Sequence, residues 1–497
     1  MKYTPLKISL YLIIVLIILL GITFFSESKP LPNGTFQEGF SIGDITIKYP
    51  KSESFLQTKK VEAPQVTVLD SIVTNVENII ESTEIETIEN DIAKIEELPP
   101  PPDFRKIDTS KVQRIQYPKN KSEYLEKLRS SLNASQCRII HYGDSQLEGD
   151  RISAYLRNRL QGLYGGHGPG FVPIVQVYHQ ISNDVAASDN WTRHAYFDRR
   201  TQRFEHKKYG AYTSMSRFTP VYDSINEVLL DTLQIEKGTI YITKPSQSYR
   251  RLKTFTKIGL HYGNSVTPTT INVFNNGDLI QSDELINDGN YHKYSINLSE
   301  TPSALKIELE SKISPDFYGL TLDGDSGINL DNVAMRGASG TVFAGSNSTT
   351  FNQMYQALDP KLVIFQYGGN AVPHFEDSLH VKQYAGYMKN HVKWVKRKTK
   401  DANILFIGPS DMSTSENGKM VTYPLLPYLN ECLSEVMTEN DVAYWSIFDA
   451  MGGKNSMPYW VDQRLAGNDY THFSPSGTKI ISEILFLSLY LDLTDNK

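Results

Sequence analysis

Ile139-Ile140-His141-Tyr142-Gly143-Asp144-Ser145 is the stretch that decides how the chain is read. A short apolar run halts at Gly-Asp-Ser. A helical pattern then opens at Asp150, with Ile152, Tyr155, Leu156, Leu160 and Leu163 at helical spacing. This is the pattern of a buried strand, a tight turn presenting a serine, and a helix. Two distant stretches matter in relation to it. Lys361–Tyr367 reads as a strand running into Gly368-Gly369-Asn370. Asp469-Tyr470-Thr471-His472 lies in a loop ahead of a last helix, Ser474–Leu491. In an α/β sheet all three fall at the carboxyl edge of parallel strands, where such sheets build their sites.

Outward from that stretch, helical and strand patterns alternate. Ser122–Leu132 reads as a helix, and after Gly327 come strand Ile328–Ala334, helix Phe351–Leu358, helix Leu379–Lys398, strand Ile404–Ile407, helix Leu425–Thr438 and strand Val442–Phe448. The alternation implies an α/β fold with a parallel sheet covered on both faces. Between its two parts the texture changes. Short alternating segments such as Thr239–Ile242, Thr270–Phe274, Tyr294–Leu298 and Ala304–Leu309 are punctuated by Asn275-Asn276-Gly277-Asp278 and Asn287-Asp288-Gly289-Asn290. These predict an all-β, jelly-roll-like sandwich over 174–326, inserted into an α/β domain made of 112–173 and 327–497. An insertion of this kind is tolerated where a loop tip keeps its two ends close.

The N-terminal region reads differently. Ile8–Phe25 is an almost unbroken apolar run of 18 residues behind Lys2 and Lys7. Its length suits a bilayer-spanning helix, and the lysines place the N-terminus in the cytoplasm and the rest outside it. A cleaved signal peptide is the competing reading, but Ser26-Glu27-Ser28-Lys29-Pro30 offers no small-x-small cleavage site. The expectation is a stub and transmembrane anchor over 1–25, a flexible linker over 26–111, and a globular part on the periplasmic or cell-surface side. The linker carries an acidic run between Glu77 and Glu97 and the stiff Pro99–Pro102.

Composition narrows the functional classes. Formal net charge is −6 over 497 residues, so nothing points to nucleic acid. The two cysteines, Cys137 and Cys432, have no metal-ligand spacing and read as small buried hydrophobes. Tyr164–Gly170 is glycine-rich but lacks the Lys-Ser/Thr of a phosphate loop.

A serine hydroxyl is a weak nucleophile without a base, and the base needs a partner that sets its tautomer. Ser145 is the nucleophile candidate, His472 the base, and Asp469 its partner from the same turn. Oxyanion donors are sought in the backbone N–H groups of Ser145 and Gly340 and the side-chain amide of Asn370. Gly340 is expected to let substrate approach its backbone, having no Cβ. A second Asp-x-x-His, Asp377–His380, opens a predicted helix and is read as first-turn acid and surface charge.

The set resembles the SGNH (GDSL-type) hydrolase family. The family's first block is similar to Gly143-Asp144-Ser145, its second to Gly337-Ala338-Ser339-Gly340, its third to Gly368-Gly369-Asn370 and its fifth to Asp469-Tyr470-Thr471-His472. Many members carry Asp after the third-block Asn, where this chain has Ala371; that position is not catalytic in the family. The resemblance covers about 112–173 and 327–495. It implies a flavodoxin-like three-layer α/β/α fold, the roles given above, and no metal or cofactor. His141–Gln146, Gly149-Asp150, Leu160-Gln161, Gly168–Phe171, Tyr318–Leu322, Asp331-Asn332 and Arg336-Gly337 are similar to envelope enzymes of the peptidoglycan O-acetylesterase type. In those the inserted module resembles carbohydrate-binding modules. An O-acetylated cell-wall or envelope glycan is the implied substrate. Acetyl transfer by the same triad, and non-catalytic glycan binding, remain as alternatives.

Overall fold

A computed structural model describes residues 5–30, 36–43, 45–52, 109–222, 225–246 and 248–494. At its centre lie five parallel strands: β1 Gln136–Gly143, β2 Gly327–Ala334, β3 Pro360–Gln366, β4 Asn403–Gly408 and β5 Ala443–Ser446. They are ordered β2-β1-β3-β4-β5. Six helices cover this sheet: α1 Lys121–Leu132, α2 Arg151–Tyr164, α3 Ser348–Leu358, α4 Ser378–Lys396, α5 Leu426–Thr438 and α6 Pro475–Thr494.

Period-two alternation along the strands explains the two layers. Cys137, Ile139, Leu362, Ile364, Leu405, Ile407 and Trp445 pack against α1, α2 and α6. Ile140, Tyr142, Val363, Phe365, Ile404, Phe406 and Tyr444 pack against α3, α4 and α5. Strands apolar on both faces are what a doubly covered parallel sheet requires. Both cysteines are free and buried.

The chain between β1 and β2 forms two antiparallel sheets. One holds Gly170–Val172, Thr192–Ala195, Ser214–Arg217, Lys257–Gly263, His292–Asn297 and Asp316–Asp323. The other holds Asp184–Ala187, Glu236–Thr243, Thr269–Asn275, Asp278–Glu284 and Ala304–Ser311. Ile240, Ile258, Leu260, Ile271, Ile307, Leu320 and Leu322 fill the space between them. Asn276 and Gly277 take φ of 51° and 98°, the left-handed pair that closes a tight hairpin. The first of these strands begins at Gly170, ahead of residue 174. Tyr209, Tyr212 and Met215 join the α/β core rather than the sandwich core.

Buried charge ties the two parts together. Asp331 on β2 has no exposed surface. It accepts from Arg138 at 2.6 Å, from the Tyr212 hydroxyl at 2.9 Å and from the Phe171 amide at 3.0 Å. Arg157 on α2 donates to Asp150 at 2.7 Å and to the Leu330 carbonyl at 2.7 Å, while Ser182 of the insertion donates to the same Asp150 carboxylate.

Several sequence expectations need correction. The reading of 26–111 as linker fails over 27–48, where Glu27–Pro30, Phe36–Ile42 and Ile45–Lys48 form an antiparallel sheet. Each strand is too short to register as a core pattern. The acidic run and Pro99–Pro102 lie outside the described residues. Ile447–Ala450 is helical rather than an extension of β5, because Ser446 caps it by accepting the Asp449 amide. A 3-10 segment, Ser145–Asp150, separates the serine from α2. The N-terminal run is helical over Pro5–Ile22 but leaves the α-helix at Thr23–Phe25. Ile8–Ile22 would reach about 22 Å against a hydrocarbon core of about 30 Å. No helix among the described residues is long and apolar enough to cross a membrane.

Replacing Arg157 with Met strands Asp150 in the interior without its cation. The expected cost is about 3–5 kcal/mol of folding stability. Urea unfolding of the variant would measure it, and a loss below about 1 kcal/mol would show that the ion pair is not structural.

Candidate active site

Ser145 follows β1 by two residues and starts the 3-10 segment, which Asp144 caps by accepting the Gln146 amide at 3.0 Å. Gly143 is required before it, since a Cβ there would lie 2.6 Å from Leu147 and 3.2 Å from the Gln366 carbonyl of β3. Gly149 at φ 68° and Asp150 at φ 60° turn the chain into α2.

The three side chains selected from sequence meet. Ser145 Oγ is 2.8 Å from His472 Nε2, and His472 Nδ1 is 2.7 Å from Asp469 Oδ2. The backbone amides of Thr471 and His472 both donate to Asp469 Oδ1 at 3.1 Å. Burial alone would raise the Asp469 carboxyl, but the His472 ring and these amides outweigh it and hold it below the ordinary carboxylate range. The ionised carboxylate therefore keeps the proton on Nδ1 and leaves Nε2 to accept from Ser145. The His472 and Asp469 side chains are 38% and 53% exposed.

Two residues not singled out for the site lock this loop in place. Gln146 Nε2 donates to the Thr471 carbonyl at 2.8 Å, and Arg151 donates to the Phe473 carbonyl at 3.0 Å. Their sequence signal is only adjacency to the Gly-Asp-Ser turn, because their partners lie more than 300 residues away. On the other side, the Ser413 amide donates to the Tyr470 carbonyl at 3.1 Å.

The oxyanion candidates divide. The backbone N–H groups of Ser145 and Gly340 have no hydrogen-bond partner among the described residues. Asn370 Nδ2 donates to Asp144 Oδ2 at 3.1 Å and to the Ala338 carbonyl at 3.2 Å, so its amide hydrogens are engaged at rest. The reason given for Gly340 is corrected. A Cβ there would strike the Tyr367 ring at 2.7 Å and Met388 at 2.8 Å, and its φ is 84°. Packing and backbone conformation, not substrate approach, exclude a side chain. Gly369 and Gly408 are the glycines that line the recess, with Met412 Sδ 3.2 Å from the would-be Cβ of Gly369.

That recess measures ≈ 50 Å³ and is lined by Ser145, His472, Gly369, Asn370, Pro409 and Met412, among others. At about 10–15 Å³ per water-sized group, it holds roughly three to five heavy atoms. Asp377 of the second Asp-x-x-His caps α4 by accepting the His380 amide at 2.9 Å, away from this recess. No cluster of His, Cys, Asp and Glu among the described residues could hold a metal ion.

Burial pushes the Asp144 carboxyl up to about 6, against the pull of the Gln146 amide, His472 and Asn370. A carboxyl raised in the folded state favours folding most below its unfolded value near 3.8 and loses that advantage as pH rises through about 6. Asp144→Asn does not titrate. Its stability relative to the parent should therefore improve by up to about 3 kcal/mol between about pH 4 and pH 7. Melting curves across that range would show it; parallel curves would mean Asp144 does not titrate there.

No protein-family model matches the chain, and no curated protein matches it. Among solved structures, a peptidoglycan O-acetylesterase in action aligns at a TM-score of 0.59 with 21% identity, covering 77% of this chain and 99% of that one. Family two carbohydrate esterases from Clostridium thermocellum, with cellohexaose, and from Cellvibrio japonicus align at TM-scores of 0.23 and 0.24. Their identities are 13% and 11%, covering 50% and 62% of this chain and 90% and 98% of theirs; likeness at that level carries no argument. The fold of this chain is that of the peptidoglycan O-acetylesterase.

Proposed function

We propose that this protein is an SGNH-type serine esterase that removes O-acetyl groups from an envelope glycan. The observation that carries the reading is the 2.8 Å contact between Ser145 Oγ and His472 Nε2, with Asp469 2.7 Å behind the ring. His472 takes the hydroxyl proton as Oγ bonds to the acetyl carbonyl carbon. The N–H groups of Ser145 and Gly340 meet the oxyanion, and Asn370 joins them by exchanging its bond to Ala338. Collapse breaks the ester C–O bond. Nε2–H protonates the departing sugar oxygen, leaving acetyl on Ser145. Water then attacks with its proton passing to Nε2, and acetate leaves as Oγ is reprotonated.

The recess matches the three heavy atoms of acetyl rather than a long acyl chain. Exposure of His472 lets water reach the acyl-enzyme, which favours hydrolysis over transfer to a second sugar. The β-rich insertion is proposed to serve as a glycan-binding module. An extracytoplasmic location belongs to the same reading and rests on sequence alone: Lys2, Lys7 and the apolar residues after them.

Ser145→Ala should lower kcat on an aryl acetate by about 10⁴-fold or more while leaving the fold intact. An unchanged rate would end the reading. The parent should also prefer aryl acetate over aryl butyrate by at least about tenfold, since each extra methylene must overfill the recess. Gly369→Val should reduce acetate turnover for the same reason. Initial-rate kinetics with the two esters measure both effects, and equal rates would remove the acetyl assignment.

A further inference from the structure

The recess beside Ser145 has room for an acetyl group and little more, so the sugar that carries the ester rests on the rim outside it. Two rim residues come from the loops that end β1 and β2. Glu148 follows Ser145 at a break in the 3-10 segment, where φ is −57° and ψ 147°. Arg336 follows the end of β2 and precedes Ala338, whose carbonyl Asn370 holds. A third residue comes from the insertion. The Ile181 amide donates to the Gly149 carbonyl at 3.1 Å, which brings Tyr178 alongside the same turn.

Arg336 and Glu148 face each other without meeting. Arg336 Nη1 stands 3.6 Å from Glu148 Oε2, beyond hydrogen-bond length. The Arg336 side chain is 53% exposed, and its guanidinium makes no hydrogen bond among the described residues. It lies over the Tyr178 ring, 4.9 Å from the centroid. Such a contact anchors the guanidinium without consuming an N–H. Glu148 Oε1 is buried, whereas Oε2 is open to solvent and has no hydrogen-bond partner among the described residues. Arg151 fixes the Glu148 backbone by donating from Nε to its carbonyl at 3.0 Å. Burial raises the Glu148 carboxyl against the pull of Arg336, His472 and Arg151, so the acid stands within electrostatic reach of His472.

We propose that Arg336 and Glu148 clamp an uncharged sugar residue of the glycan by a free hydroxyl, which accepts from the guanidinium and donates to Oε2. A hydroxyl can do both at once, and so fills the gap that the pair leaves open. The two charges compensate each other: Glu148 would repel an anionic group, and Arg336 a cationic one. Tyr178, 39% exposed, borders the same place and offers the sugar ring an apolar edge. Held there, the sugar directs its acetylated hydroxyl into the recess. That role presupposes the esterase reading and adds to it the residues that select the leaving sugar.

Initial-rate kinetics of the full chain on O-acetylated xylo-oligosaccharides, O-acetylated chito-oligosaccharides and para-nitrophenyl acetate test the clamp. The aryl ester has no sugar hydroxyl, so the measure is the ratio of kcat/KM for the better oligosaccharide to that for the aryl ester. Arg336→Met should lower this ratio about tenfold or more, chiefly through KM, the size expected for one hydrogen bond to a charged group. Glu148→Ala should act in the same direction. Arg336→Lys keeps a donor and should recover part of the loss, and all three variants should keep the parent's melting temperature to within a few degrees. An unchanged ratio in both Arg336→Met and Glu148→Ala overturns the clamp and leaves the esterase reading standing. So does a loss confined to kcat, which would mean that the pair acts on His472 and not on the sugar. A parent that cleaves the aryl ester but neither oligosaccharide also overturns the clamp, and a parent inactive on all three esters ends the esterase reading with it.

Discussion

Parallel pairing at Gly143 is the constraint on which the rest depends. Gly143 of β1 stands level with Ala334 of β2 on one side and Gln366 of β3 on the other. Three strands that end level deliver three loops to one place: Ser145 from the first, Ala338–Gly340 from the second, Gly368–Asn370 from the third. A shift of one residue in either pairing would exchange the residues packed into the two layers on either side of the sheet. The register that brings these three loops together is thus protected by the same burial that stabilises the sheet. The absence of a Cβ at Gly143 makes the close turn after it possible, with Leu147 folded back beneath.

His472 arrives by a different route. Its loop is no part of the sheet edge, and local contacts hold it there. Gln146 and Arg151, which follow Ser145, take the Thr471 and Phe473 carbonyls on either side of His472. The turn that presents Ser145 therefore also positions His472. Asp469 is fixed in turn by the two amides of its own loop, so the imidazole is oriented before any substrate is present.

The insertion is fused to the α/β part rather than hung from it. Asp331, Arg138 and Asp323 make a buried charge cluster spanning the sheet and the sandwich, and Asp150 is shared between Arg157 and Ser182. Buried pairs of this kind add little net stability but exclude alternative dockings, since any displacement leaves a charge uncompensated.

The strand-turn-serine signal, the alternation of helices and strands, and the Asp-x-x-His loop were legible in the amino-acid sequence because each is local. Apolar periodicity and turn chemistry act within a few residues, and so do the hydrogen bonds that Asp469 makes to residues 471 and 472. The strand-like piece at Ile45–Tyr49 was legible, but its partners Glu27–Pro30 and Phe36–Ile42 escaped because they are too short for periodicity to register, and Ile447–Ala450 because a Ser446 cap overrides an apolar run. Tertiary structure alone decided that Gly340 is required by Tyr367 and Met388, that Asn370 rests on Asp144 and Ala338, and that Gln146 and Arg151 carry the histidine loop. Those contacts join residues tens to hundreds of positions apart, and no spacing along the chain encodes which distant group a side chain will meet once the layers have packed.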